Sequence, residues 1–163
     1  MPLKINQDYL RSIVFGLQDG LVSTTGVVVG VSVAVADSRY ILLSAFITIA
    51  VEALSMATGQ YLSEKSVHDL PNNHHRDNLL FGGFLMFLSY LAGGVVPIIP
   101  ILFGYSPFTP FLSIYYAFVG LFILGFAKAK LFGGQILKSS LEMLLVGGVS
   151  VIIGITIGSL FKI

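Results

Sequence analysis

Two neighbouring stretches decide the fold: Ser12–Val35, SIVFGLQDGLVSTTGVVVGVSVAV, and Tyr40–Ser63, YILLSAFITIAVEALSMATGQYLS. A helix of about 20 mostly apolar residues crosses the hydrocarbon of a bilayer, and both stretches meet that length. Neither contains Lys or Arg, and each holds a single carboxylate, Asp19 in the first and Glu52 in the second. A short turn around Asp37, Ser38 and Arg39 joins them.

Three further spans are expected at Asn78–Gly104, Phe111–Ala127 and Ser139–Phe161. The polar run Glu64–Asp77 (EKSVHDLPNNHHRD), the loop Tyr105–Pro110 and the basic connection Lys128–Lys138 separate them. The whole chain agrees with this reading. Of its 163 residues 55% are hydrophobic and 10% charged, and the mean hydropathy is +0.91, whereas soluble domains carry about 25% charged residues. The runs are continuously apolar, without the alternation of a barrel strand. The expected fold is therefore all-α, a polytopic membrane protein whose five transmembrane helices form one domain over residues 1–163.

Charge sets the expected orientation. With five spans, Lys4, Arg11, Lys65, Arg76, Lys128, Lys130 and Lys138 share one face, and only Arg39 and Lys162 occupy the other. That asymmetry places the N-terminus in the cytoplasm. A net charge of +1 offers nothing to nucleic acid. The absence of Cys excludes thiolate sites and thiol catalysis, and without Trp the interfacial anchors fall to Tyr. Met1–Arg11 has no secretory signal pattern. An integral protein of a prokaryotic plasma membrane is expected.

Small residues recur at helix-packing spacing: Gly16 and Gly20, Gly26 and Gly30, Gly154 and Gly158. Such pairs let backbones approach where lipid provides no hydrophobic drive. Those of the fifth span are expected to pack inside the chain, and those of the first to form a subunit contact.

The chemistry lies in the carboxylates. An acidic residue deep in hydrocarbon costs several kcal/mol unless it is paired, protonated or solvated, and no cation lies at matching depth in either helix. Asp19 is seven residues past Ser12, roughly 10 Å deep at 1.5 Å per residue. Met56, seven residues before Ser63 on a returning helix, is expected at the same level, with Glu52 one turn deeper on its face. Gln60 continues that face towards the cytoplasm, and Ser23 follows Asp19 one turn inward. Oxygen donors suit divalent cations generally, and a thioether tilts the set towards transition metals such as Fe²⁺. Carboxylates withdrawn from water can also exchange protons for metal. Taken alone, a methionine in a membrane helix is most often packing.

Other features are less specific. His74 and His75, with His68, could gather metal at the mouth, or simply be solvated. Pro97 and Pro100 will bend the third span or break it to expose carbonyls. Ser139-Ser140-Leu141-Glu142 has capping-box spacing, which gives Glu142 a structural role. No nucleophile–base pair lies within the spans, so no enzyme and no cofactor is expected.

The residues Phe15–Thr24 (FGLQDGLVST) resemble the first-helix signature of the vacuolar iron transporter family. Glu52–Ser66 (EALSMATGQYLSEKS) is similar to its second-helix signature, and Gly93–Pro100 and Gly125–Lys130 match in kind. The resemblance implies a five-helix homodimer with a metal route near the subunit contact, exchanging Fe²⁺ for protons, with Mn²⁺ as another substrate. It implies Asp19 and Met56 as intramembrane metal residues and Asp8 near the cytoplasmic mouth. Iron-transporting members carry a glutamate-rich helical domain between the second and third helices; here residues 64–77 stand in its place. They also have an acidic residue near Ser12 that this chain lacks, and one near Thr48 that is displaced here to Glu52. The expected function is export of Fe²⁺ from the cytoplasm against protons. A Mn²⁺ or broader divalent-cation exporter, and a non-transporting membrane scaffold, are the alternatives.

Overall fold

The computed structural model describes residues 7–68, 78–104 and 106–162, and these are helical apart from short connections. The helices are α1 (Gln7–Ala34), α2 (Ser38–His68), α3 (Leu79–Val95), α4 (Thr109–Phe132) and α5 (Ile136–Leu160). Beyond Val95, α3 runs through a 3₁₀ turn (Val96–Ile98) into a last α-helical turn (Ile99–Leu102). Five spans are long and apolar enough to cross a membrane, the third being Leu79–Leu102. No strand occurs among the described residues, and the expected all-α membrane architecture holds.

Local chemistry starts and stops these helices. The Asp37 carboxylate accepts the Arg39 N–H at 2.8 Å, capping α2. The Asn78 side chain does the same for α3, accepting from Phe81 N–H at 3.2 Å. Pro110 stands in the first turn of α4, where its missing N–H costs nothing. That helix ends at Gly133, whose φ of 72° closes the cap on Ala129. Pro97 and Pro100 tighten α3 without breaking it, and both are buried. The prolines therefore produce a local 3₁₀ turn, and the span continues past them.

The helices are longer than the apolar runs. α2 continues through Glu64–His68, so the polar stretch begins inside a helix. Hydropathy marks where hydrocarbon ends, while Glu and Lys still favour helix beyond it. For the same reason α1 begins at Gln7, α4 reaches Phe132 and α5 begins at Ile136. This last boundary removes the capping box. Ser139 lies inside the first turn of α5, and its N–H bonds to Gln135 O at 3.0 Å. Ser139 and Ser140 pack instead against Gly125, and the Ser140 hydroxyl bonds to Phe122 O of α4 at 3.3 Å.

α1 is the hub, packed against each of the other four helices. A Cβ on Gly16 would sit 2.9 Å from Met86 O, and one on Gly20 would meet the Tyr90 carbonyl of α3. Further along, Gly26 and Gly30 interleave with Gly154 and Gly158 of α5. The first-span glycines thus serve contacts within the chain. In lipid, association depends on close backbone approach, and a central helix touching four neighbours needs those small residues itself.

Two apolar clusters complete the interior. Val28, Ile41, Ala45, Ile49, Ile98 and Ile101 join α1, α2 and the end of the third span. Leu21, Leu121, Leu124 and Met143 join α1, α4 and α5. Large apolar side chains cover the outside, among them Phe111 (69% exposed) and Leu145 (70% exposed). Such a surface belongs in hydrocarbon.

Candidate metal centre

The carboxylate of α1 and that of α2 come together. Asp19 is half-buried, Glu52 is exposed on the described chain, and the two repel one another as electrostatic neighbours. Neither has a Lys or Arg in the apolar run that holds it, Ser12–Val35 or Tyr40–Ser63.

A hydrogen bond fixes the register between the two helices. Gln60 Nε2 donates to Ser12 Oγ at 3.0 Å. Counting inward from that pair on antiparallel helices sets Asp19 opposite Ala53, beside Glu52. The expectation that Asp19 is level with Met56 is therefore shifted by three residues, or about 4.5 Å at 1.5 Å per residue. Met56, half-buried, stands one turn nearer the N-terminal face than Glu52. The ends of an apolar run fix depth only to within a few residues, and the offset of two helices along their axes is set by side-chain contacts such as this one.

The third helix adds a group that sequence reasoning missed. Tyr90 of α3 is fully buried, at 0% exposed, and its hydroxyl lies 2.5 Å from Ser23 Oγ. Ser23 Oγ also donates to Asp19 O at 2.7 Å. A serine hydroxyl has one proton, so the Tyr90 phenol is the donor to Ser23. Tyr90 faces both carboxylates electrostatically. The available signal was a tyrosine in an apolar span, whose hydroxyl needs a partner when buried. The partner itself was not legible.

Towards the N-terminal face the polar column continues. Gln60 also donates to Glu64, Ser12 Oγ donates to Asp8 O at 3.0 Å, and Asp8 is half-buried. Glu64 was not singled out from the sequence, because it stands at the edge of the polar stretch. In the other direction, Ser23 lines an apolar groove of about 470 Å³ between α1 and α5. His74 and His75 lie outside the described residues.

The donor set is thus two carboxylates, a thioether and hydroxyls, all in an apolar wall. Among the described residues no three Asp, Glu or His side chains converge.

Fold and site together define a polytopic helical membrane protein with a carboxylate pair inside its spans. The VIT family model matches residues 10–79 and 72–159. The chain belongs to the VIT family. It is 28% identical over 151 residues to vacuolar iron transporter homolog 2 of Arabidopsis thaliana, covering 85% of this chain and 77% of that protein. A second relative, vacuolar iron transporter homolog 2 of Oryza sativa subsp. japonica, is 26% identical over 172 aligned positions, covering 94% and 90%. Vacuolar iron transporter homolog 4 of Arabidopsis thaliana is 39% identical over 62 residues, covering 38% of this chain and 31% of its own length.

Proposed function

We propose that this protein is a secondary transporter that moves Fe²⁺ out of the cytoplasm in exchange for protons. The carrying observation is the Asp19–Glu52 neighbourhood, two carboxylates whose apolar runs, Ser12–Val35 and Tyr40–Ser63, hold no Lys or Arg. Such a pair is stable when it holds protons or a doubly charged ion, and alternating between the two is antiport. Met56 supplies the softer donor that favours Fe²⁺ over Mg²⁺ or Ca²⁺. Ser23, Gln60 and Asp8 mark the route on either side. The names of the relatives, vacuolar iron transporter homologs, support iron as the cargo.

The working unit in this reading is a homodimer. Exposed Glu52 would meet lipid in a lone chain, at a cost of several kcal/mol. A second copy covering the face of α1 and α2 removes that cost and completes the coordination sphere. The proposed residence is a prokaryotic plasma membrane.

Reconstitution into liposomes tests the reading. Fe²⁺ movement coupled to an opposite proton flux is expected, abolished in Asp19→Ala and reduced in Met56→Ala. Equal flux in the wild type and both variants would overturn it and leave a membrane scaffold. The same assay with Mn²⁺ and Zn²⁺ ranks the cargo, and Mn²⁺ carried in preference to Fe²⁺ would replace iron as substrate.

A further inference from the structure

The face that carries the N-terminus of α1 holds a second built cavity, away from the carboxylates. It lies between the end of α4 and the start of α5, has a volume of about 350 Å³, and is lined by Lys128, Phe132, Gln135, Lys138, Ser139 and Glu142. A neighbouring cavity of about 370 Å³ shares Lys128 and Phe132 and reaches α1, where Asp8, Arg11 and Gln18 line it. Lys128 is half-buried, and neither it nor Lys138 forms an ion pair among the described residues. Of the two carboxylates on these walls, Asp8 has an interaction of its own and Glu142 is exposed at the rim.

A further observation aims at an anion. The N-terminus of α5 has no side-chain cap at Gln135, itself on the cavity wall, so its first backbone N–H groups are left for solvent or a ligand. A tetrahedral oxyanion accepts from these N–H groups and from both lysines together. The surroundings specify its carrier. Leu131 (55% exposed), Phe132 (51%) and Leu137 (68%) flank the cations at the level where α4 and α5 leave the hydrocarbon. Basic pockets between helices at that level suit lipid headgroups, and a free inorganic anion has no use for the apolar rim.

We propose that the cavity between α4 and α5 binds the phosphate of an anionic phospholipid headgroup, held by Lys128, Lys138 and the N-terminus of α5.

Native mass spectrometry of the full chain in detergent, titrated with phosphatidylglycerol or phosphatidylcholine, tests this. One phosphatidylglycerol per chain is expected to bind in preference to phosphatidylcholine. The double variant Lys128→Gln/Lys138→Gln should weaken it roughly 30-fold, each lysine near an anionic surface contributing a factor of about five. Lys130→Gln, exposed and on neither cavity wall, should bind as the wild type does. Thermal unfolding checks that the variants fold, and Lys138→Gln alone carries the comparison if the double variant does not. Equal retention of the two lipids, or unchanged binding in a folded double or single cavity variant, would overturn the proposal. So would an equal loss in Lys130→Gln. Displacement of phosphatidylglycerol by millimolar inorganic phosphate would identify a free-phosphate site and overturn the lipid assignment.

Discussion

The hydroxyls of Ser23 and Tyr90 lie 2.5 Å apart across the contact between α1 and α3. Because Ser23 spends its own proton on Asp19 O at 2.7 Å, the tyrosine anchors the turn of α1 that presents the carboxylate. Tyr90→Phe keeps the ring and removes that donor. A loss of about 0.6–1 kcal/mol in unfolding free energy is expected, as for single hydrogen bonds in membrane and soluble proteins. Tyr90→Ala should cost several times more, since it also opens a cavity in a fully buried site. Denaturant unfolding in mixed micelles measures both. If the bond positions Asp19, Tyr90→Phe should also raise the KM for metal in liposomes, an effect that a purely structural tyrosine would not produce.

The glycines divide into those that carry the fold and those, such as Gly59 and Gly148, that do not. A Cβ on Gly20 would run into the Tyr90 carbonyl and the backbone of Gly94, whereas one on Gly59 would find nothing within 4 Å. Gly20→Ala is expected to destabilise by about 1–3 kcal/mol through overpacking. Gly59→Ala should leave the melting temperature unchanged or raise it slightly, because Ala is the better helix former. Gly59 is exposed on α2, on the side of Glu52 and Met56. Gly59→Leu should therefore keep the chain folded while weakening its dimer, read by crosslinking or by mass in detergent. An intact dimer in that variant would place the subunit contact elsewhere.

The spans were legible because hydrocarbon demands long apolar runs, and Asp19 and Glu52 stood out as the sole charges inside theirs. Register was not legible. Apolar runs say nothing of how two helices are offset along their axes, so counting from their ends set Met56, and not Ala53, opposite Asp19. The Ser12–Gln60 bond, 48 residues apart in sequence, corrects it. Partner choice was equally hidden. Gly26 and Gly30 announce a close helix contact, and nothing in their spacing says that Gly154 and Gly158 of the same chain fill it. Tyr90 escaped for the same reason, since its meaning depends on Ser23 across 67 residues.

Met56 separates a metal ligand from a packing residue. Met56→Leu holds volume and apolarity nearly constant, so stability should change by less than about 1.5 kcal/mol. The loss of sulfur leaves only oxygen donors, which suit harder ions. Fe²⁺ uptake should fall several-fold at subsaturating metal, with Mn²⁺ affected less, in competition assays on the same vesicles. Equal effects on the two metals would assign Met56 to packing.

Glu64 tests whether the mouth concentrates cations. Gln60 donates to its carboxylate, and Glu64→Gln keeps an oxygen that can accept that bond while removing the charge. The fold should therefore be unaffected, with the Ser12–Gln60 bond and the register preserved. The electrostatic part acts on capture, before the ion reaches Asp19. The KM for metal should rise a few-fold at low ionic strength with the maximal rate unchanged. Screening shortens from about 10 Å at 0.1 M salt to about 3 Å at 1 M, so the difference between wild type and variant should shrink as salt is added. A change in maximal rate that persists in high salt would mean that Glu64 acts within the pathway as a ligand, and would extend the metal site one turn beyond Gln60.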